Sequence, residues 1–242
     1  MPRVSIVIPA HNEAENIVLL VKEIKKILDR NNISFETIVV DDNSTDDTSE
    51  RILDMKKKMS NLVLIKRRDG KPGVGRNFRE GFSKAKGDII ITMDADFSHD
   101  PNDLPRFVDA MKHADFVSGS RYMHGGSGEL DLQRKIISRG YSFFCGLLLG
   151  IEMTDFSTGY RAISRKAVEK ISLESDGFSI HSELPIKIHL KNFRIKEIPI
   201  HYKKRRKGFS KLKYMKEGKY YTGVLLYGVK QRIKRLFGIN CD

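Results

Sequence analysis

Tryptophan is absent from this 242-residue chain, and cysteine nearly so. The two cysteines, Cys145 and Cys241, have no C-x-x-C spacing. They suggest a reducing compartment and no zinc site, with Cys145 read as a small packed apolar residue. Long apolar runs are missing as well. The longest charge-free stretch, Gly140 to Ile151, has twelve residues, whereas a helix needs about 20 to cross a bilayer. No membrane-spanning segment is expected. The opening MPRVSIVIP enters a strand pattern directly, so no signal peptide is expected there. The chain contains no internal repeat and no low-complexity tract. Acid is the scarcer charge, 31 Asp and Glu against 44 Lys and Arg, for a net charge of +13. That excess points to an anionic partner, whether nucleic acid, a membrane surface or a phosphorylated substrate. With 40% hydrophobic and 31% charged residues, the composition is that of an ordinary globular protein. The length suffices for one large α/β domain or two small ones.

What is present centres on Ile89-Ile90-Ile91-Thr92-Met93-Asp94-Ala95-Asp96-Phe97-Ser98-His99. The apolar, β-branched run reads as a buried strand. It ends in two carboxylates on alternate residues, which an extended chain points to one side. Two such acids repel unless a cation lies between them, and their hard oxygens suit Mg²⁺ or Mn²⁺.

Strands and helices alternate around this run. Val4–Ile8 reads as a strand stopped by Pro9, which has no N–H for the ladder. Glu13 to Arg30 carries the helical stripe Ile17, Leu20, Val21, Ile24, Ile27 and Leu28, with Glu13 and Glu15 in its first turn. Phe35–Val40 is a strand closing in Asp41-Asp42. Thr45 or Asp46 then caps a helix through Met59. A strand at 62–65, a helix from about Arg76 to Lys86, a helix at 101–112 and a strand at 116–120 follow. Such alternation predicts a parallel sheet with helices on both faces and ligands at the carboxyl ends of the strands. Pro9 to Glu13, Asp41-Asp42 and Asp94-Ala95-Asp96 all fall at such ends. Three acid-bearing strand ends on one edge make the Asp94–Asp96 pair a strong candidate site.

Beyond Arg121 the pattern changes. Gly125-Gly126-Ser127-Gly128 is loop chemistry. Helices are expected at 132–149, 165–171 and 182–190, and strands at 159–164 and 194–202. Residues 203–213 hold seven bases and no acid. The last segment places Leu225, Leu226, Val229, Ile233, Leu236 and Phe237 on one helical face, flanked or opposed by Lys230, Arg232, Lys234 and Arg235. This basic amphipathic helix suits either an anionic membrane surface or docking on the core with a solvated basic face.

PAHNEAENI, VVDDNSTDDT and MDADFSH resemble the landmarks of the family 2 glycosyltransferases. Further on, VSGSRY (117–122), QRKIISRG (133–140), DFSTGYRAISRKAVEKI (155–171), GFSIHSELPIK (177–187) and GFSKL (208–212) are similar to one branch of that family, the dolichyl-phosphate mannose synthases. The resemblance covers roughly residues 3 to 215 in order. It implies the GT-A (Rossmann-like) fold, an α/β three-layer sandwich with a mixed, mostly parallel central sheet. A catalytic domain would span 1–212, and the basic helix 213–242. The implied reaction is inverting, metal-dependent transfer of mannose from GDP-mannose to dolichyl (polyprenyl) phosphate. The enzyme would work peripherally, on the cytoplasmic face of a membrane. A separate membrane subunit is compatible with this, and no nucleic-acid partner is implied.

By the same resemblance Asp94, Asp96 and Arg121 form the catalytic set. Pro9, His11, Glu13, Val40 and Asp42 would hold the guanosine part of the donor. His11 stands where an aromatic residue is common in the family. Asp94, Ala95 and Asp96 would meet the metal–diphosphate, with Ser98 as a further metal ligand in place of a glutamine of some relatives. Arg121, Arg134 and Ser138 would hold the acceptor phosphate. Arg205 and Lys211 would close over the donor diphosphate, with Arg165 as another donor contact. Physical chemistry agrees. A phosphate monoester has a second pKa of about 6 and is already a nucleophile at neutral pH, so it needs arginines to position it and no carboxylate base.

The competing readings each lack something. A UDP-glucose-dependent polyprenyl-phosphate glucosyltransferase would use nearly the same site. A hydroxyl-acceptor transferase needs a base, for which Glu183 is the candidate. Processive synthases of the family carry Q-x-x-R-W, which a chain without tryptophan cannot contain. A nucleic-acid-binding module would face repulsion from the three acidic strand ends and has no recognised motif here. A non-catalytic membrane adaptor would rest on the terminal helix alone.

Overall fold

The computed structural model of the chain describes residues 3–204 and 214–238. The first half runs β1 (Val4–Ala10), α1 (Ile17–Arg30), β2 (Phe35–Asp42), α2 (Thr48–Lys56), β3 (Leu62–Arg67), α3 (Val74–Lys84), β4 (Ile89–Thr92), α4 (Leu104–Ala110) and β5 (Phe116–Ser120). There follow β6 (Ser127–Gly128), α5 (Leu132–Leu149), β7 (Arg161–Ser164), α6 (Arg165–Val168), α7 (Ile180–Leu190), β8 (Ile195–Pro199), β9 (His201–Tyr202) and α8 (Tyr214–Leu236). Seven strands form one sheet in the order β3-β2-β1-β4-β7-β5-β8. β7 is antiparallel to both of its neighbours and every other pairing is parallel.

Alternation along β1 builds the layers. Val4, Ile6 and Ile8 join Ile17, Leu20, Val21, Ile24 and Leu28 of α1, Ile52 of α2 and Leu104 and Phe107 of α4 in one core. Val7 joins Phe78 and Phe82 of α3, Leu149 of α5 and Ile180 and Leu184 of α7 on the other face. The result is a three-layer sandwich with a mixed, mostly parallel sheet. All six residues of the α1 stripe are buried. Cys145 is buried in the second core and is a free thiol.

Several boundaries move. Pro9 lies inside β1, opposite Val40 of β2. It is tolerated because the β1–β4 ladder ends two residues earlier, at Val7 and Thr92, leaving Pro9 a neighbour on one side only. α1 starts at Ile17, not at Glu13; ahead of it Glu13 N–H donates to Thr48 Oγ1, Ala14 N–H to Asp46, and Asn16 N–H closes a turn on Glu13 O. Glu13 and Glu15 therefore precede the helix. β2 continues through Asp41 and Asp42, and α2 ends at Lys56. The expected strand at 194–202 breaks at Ile200, so that β9 pairs with β6 in a separate two-stranded sheet.

The apolar face expected on α8 divides. Val224, Leu225 and Val229 pack against the second core, while Leu226, Ile233, Leu236 and Phe237 are exposed. Gly228 lets α8 approach closely, since a β-carbon there would lie 2.9 Å from both Ile186 and Leu149. α5 is capped at both ends. The Asp131 carboxylate accepts the Arg134 N–H at 2.7 Å, and Gly150 takes the left-handed conformation (φ 67°) that ends the helix.

Candidate active site

From β1 the chain moves outward to β2 and β3, then returns to place β4 on the other side of β1. This reversal opens a crevice between the carboxyl ends of β1 and β4, where open α/β sheets bind ligands. Pro9, His11 and Glu13 follow β1, and Asp94 to His99 follow β4.

The two aspartates are not on an extended strand. β4 ends at Thr92 and the chain turns, with Phe97 in the left-handed region at φ 63°. An Asp side chain stabilises this turn. Asp96 Oδ1 accepts Ser98 N–H at 3.0 Å and Ser98 Oγ–H at 2.5 Å. Asp96 and Ser98 are buried, whereas the Asp94 side chain is about one-third exposed, at 32%. Ser98 is thereby engaged with Asp96 itself. Ala95 is buried and packs in the first core.

The acids of β2 behave differently. Asp41 accepts from Ser44 N–H, Ser49 Oγ–H and Arg68. Burial works to raise its pKa, but these donors outweigh burial and the net direction is down. Asp42 Oδ1 takes Arg67 and Asn43, and Oδ2 takes Gly73 N–H and Asn77. Those four bonds fill a carboxylate's acceptor positions. Asp42 thus braces the 69–77 connection and has no acceptor position left for a ribose or base. Its main-chain carbonyl accepts from His11 Nδ1 at 2.5 Å, which places the ring hydrogen on Nδ1. Glu13 accepts from Asn16 at 2.9 Å. The Val40 side chain is fully buried in the second core, so only its backbone can face a ligand. Of the two aspartates that follow β4, Asp94 is the partly exposed one and Asp96 is buried.

The phosphate-binding candidates meet around two tyrosines. Arg121 lies over the Tyr122 and Tyr202 rings at 5.1 and 5.5 Å, and Arg134 over Tyr202 at 5.7 Å. Ser138 Oγ is bonded to Tyr122 OH. Arg139 lies 5.9 Å from the Tyr122 ring. Arg121 is buried and clamped by Asp155, through Nε at 2.7 Å and Nη2 at 2.9 Å, and Nη2 also donates to Ser157 at 2.7 Å. Burial opposes the guanidinium charge, but Asp155 outweighs it and the Arg121 pKa moves up. Tyr202 is buried beside Asp94, and burial followed by that charge raises its phenol. It forms the wall between the aspartates and the arginines.

Other candidates lie elsewhere. Arg165 donates to the carbonyls of Ala85 and Gly87, at the amino edge of β4. At the rise of a strand that is on the order of 15–20 Å from Asp94, so Arg165 is not part of this site. Glu183 pairs with Lys187 at 2.8 Å and accepts the N–H groups of Glu174 and Ser175. It is a brace and not a base. Arg205 and Lys211 lie outside the described residues.

Four residues not expected from the sequence border the site: His99, Tyr202, Asp155 and His181. A β-carbon on Gly159 would sit 3.0 Å from the His181 ring and 3.4 Å from Asp94 Oδ1, so glycine leaves room for both. His181 belongs to α7, which contains Pro185. Proline supplies no N–H to the carbonyl four residues back, that of His181. Buried Arg161 donates to that carbonyl and also to Phe156 O at 3.0 Å, tying α7 to the loop of Asp155.

Among the described residues no three or more His, Cys, Asp or Glu side chains form a metal-binding group. Asp94 and Asp96 offer two hard carboxylates at a partly open site. Such a donor set fits a small divalent cation that completes its shell with water and phosphate oxygens.

Comparison with known proteins agrees with this architecture. Residues 5–172 match the model of glycosyl transferase family 2. The chain is 34% identical to a dolichol-phosphate mannosyltransferase of Pyrococcus furiosus over 87% of its length, and spans 59% of that longer relative. It is 30% identical to a polyprenol monophosphomannose synthase of Mycolicibacterium smegmatis, covering 98% of this chain and 91% of the relative. An undecaprenyl-phosphate mannosyltransferase of Micrococcus luteus is 31% identical, with 95% and 96% covered. Among solved structures, glucosyl-3-phosphoglycerate synthase of Mycobacterium tuberculosis with Mn²⁺, UDP and glucosyl-3-phosphoglycerate superposes with a TM-score of 0.69 at 20% identity. The match covers 100% of this chain and 82% of that one. The same enzyme with Mg²⁺ and UDP also gives 0.69, with 81% of that chain covered. Sheet order, crevice and sequence match coincide: the chain belongs to glycosyl transferase family 2.

Proposed function

We propose that this chain transfers mannose from GDP-mannose to the phosphate of a dolichyl (polyprenyl) lipid, with inversion at the anomeric carbon. One observation carries the reading: a polar edge bearing Arg134 and Ser138 and an exposed apolar surface share one helix. Arg134 and Ser138 lie on the inner side of α5, beside Tyr202 and Tyr122. The outer side exposes Leu132, Ile136, Phe143 and Leu147, all more than 60% accessible. A phosphate held at Arg134 would send its apolar tail along that face. α8 packs beside α5 and adds exposed Leu226, Ile233, Leu236 and Phe237 next to basic residues, which suits peripheral contact with an anionic membrane. Among the described residues no helix is long and apolar enough to cross a bilayer.

The chemistry follows from the residues. Arg134 orients the lipid phosphate, whose charged oxygen is the nucleophile, while the buried Arg121 adds positive charge from behind the Tyr122 and Tyr202 rings. That oxygen bonds to C1 of the sugar while the bond from C1 to the diphosphate breaks, its electron pair leaving with GDP. The sugar passes through an oxocarbenium-like state, as in glycoside hydrolysis. Asp94 and Asp96 would hold Mg²⁺ or Mn²⁺, which supplies charge that offsets the departing diphosphate. His11, fixed by the Asp42 carbonyl, offers a ring to stack on the base. Arg205 and Lys211 are the further donor contacts proposed. The engagement of Glu183 with Lys187 counts against a hydroxyl acceptor, which would need a base. The names of the curated relatives support mannose over glucose.

A donor panel tests this directly. GDP-mannose, UDP-glucose and UDP-GlcNAc are each offered with a polyprenyl phosphate and Mg²⁺ or Mn²⁺, and product is followed by mass spectrometry. Turnover of GDP-mannose is expected. Turnover of UDP-glucose alone would replace the reading with the glucosyltransferase. Arg134→Ala is expected to raise the acceptor KM about tenfold or more while GDP-mannose binding is unchanged. Equal loss of donor affinity would remove Arg134 from the acceptor side.

A further inference from the structure

Tyr202 is held firmly at the edge of the site. It pairs with Gly128 in the β6–β9 ladder, and its carbonyl accepts Glu129 N–H at 2.9 Å. The next N–H, that of Lys203, donates to Ser98 O at 3.0 Å. The strand is thus tied both to β6 and to the Asp96–Ser98 turn. Tyr202 is 6% exposed, and its ring meets that of His99 edge-on at 5.5 Å.

Two arginines lie over this ring, and they differ in what their N–H groups do. Arg121, at 5.5 Å, donates to Asp155 through Nε and Nη2 and to Ser157 through Nη2. Arg134, at 5.7 Å, pairs with no acid among the described residues. Its main chain is fixed by the Asp131 cap of α5. The side chain is long, and an unheld arginine samples many rotamers that a ligand must freeze on binding. A carboxylate partner would hold it, but would take the same N–H fork that a phosphate needs. An aromatic face attracts the cation through its quadrupole and takes no N–H. Tyr122 repeats the arrangement, with Arg121 at 5.1 Å and Arg139 at 5.9 Å from its ring. Three arginines thus alternate in contact with two tyrosines, and Asp155 pairs with the central one.

We propose that Tyr202 is a positioning residue for Arg134, its ring holding the guanidinium in place while leaving the N–H fork open to the acceptor phosphate. The fixed ring orders the arginine before the lipid arrives, so less freedom is lost on binding. This rests on the reading of Arg134 as the acceptor-phosphate ligand.

The test separates the ring from the hydroxyl and both from packing. Tyr202→Phe keeps the aromatic face, and Tyr202→Leu removes it. Each is made alone, and Tyr202→Leu is also combined with Arg134→Ala. KM for polyprenyl phosphate, KM for GDP-mannose and the thermal midpoint are measured on the full chain. Tyr202→Leu is expected to raise the acceptor KM about five- to tenfold, the size of a partly desolvated cation–π contact, while Tyr202→Phe stays within about twofold. The GDP-mannose KM holds in both. In the Arg134→Ala background Tyr202→Leu should add nothing further, because the contact is already gone. Wild-type acceptor KM in Tyr202→Leu would overturn the proposal, as would an equal rise in Tyr202→Phe. The same rise with and without Arg134 would also overturn it, leaving Tyr202 a packing residue. Where leucine prevents folding, fluorinated phenylalanines at position 202 keep the ring's shape and withdraw charge from its face. The acceptor KM should then climb with each added fluorine, and a flat series overturns the proposal. An unchanged acceptor KM in Arg134→Ala alone would instead overturn the reading beneath, a result distinct from every Tyr202 outcome.

Discussion

Asp96→Ala is expected to abolish measurable transfer, and Asp96→Asn to reduce kcat about 10²–10³-fold or more, the scale of losing a preorganised electrostatic group. The two differ in what else they remove. Asp96 Oδ1 holds the turn through Ser98 N–H and Oγ–H, and both residues are buried. Alanine leaves those two donors unpaired, which costs about 1–3 kcal/mol each. Asparagine keeps an acceptor oxygen for them, removes the charge and replaces the other oxygen with an NH2 donor. The thermal midpoint should therefore fall for Asp96→Ala and hold near wild type for Asp96→Asn, while both lose transfer. Steady-state kinetics with Mn²⁺ and a thermal melt on each protein check the division. An Asp96→Asn enzyme keeping more than a tenth of the wild-type kcat would show that the turn matters and the carboxylate charge does not.

Much of the sheet was legible because hydrophobic periodicity reports burial directly. The α1 stripe and the apolar run of β4 were read from spacing and residue type, and both are buried. The Asp94–Asp96 region was legible as a site but not as a shape. A left-handed Phe97 is set by the Asp96–Ser98 turn, and residue alternation carries no record of it. The β2 acids are a different case. They fall at the strand end expected to meet ligand, and register sets Asp41 against Lys66 and Asp42 against Arg67 on β3. The basic run Lys66-Arg67-Arg68 was the available signal, since opposite charges on paired strands neutralise each other locally. Tyr202 and Asp155 were not legible. Each reaches the site from over 30 residues beyond Arg121, and contact at that separation is decided by how β7 and β8 join the sheet and by β9 leaving it to pair with β6. The reversal of β7 likewise leaves no mark in its own four residues.

Asp155 carries the second large expectation. Asp155→Ala should destabilise the fold by about 3–5 kcal/mol, because it strands a charge that cannot be given up. The Arg121 side chain is 3% exposed and Asp155 is fully buried, with two side-chain bonds between them. The buried pair is a weak source of net stability, but breaking one half leaves the other uncompensated. Replacing both, as in Arg121→Met with Asp155→Ala, is therefore expected to recover most of the lost stability in urea unfolding. The pair also predicts a pH dependence. Burial alone would raise the Asp155 carboxyl, yet the Arg121 charge and its hydrogen bonds outweigh burial and the folded pKa is lowered. A carboxyl lower in the folded state contributes stability above its unfolded pKa, about 4, and loses it as pH falls through the folded value. Wild-type stability should thus decline in acid below about pH 4 more steeply than that of the double variant. Transfer should not return in the double variant, because Arg121 also faces Tyr122 and Tyr202 at the proposed phosphate site. Recovery of stability without recovery of activity would separate the structural half of this ion pair from its catalytic half. A double variant no more stable than Asp155→Ala would mean that the loop, and not the buried charge, sets the cost.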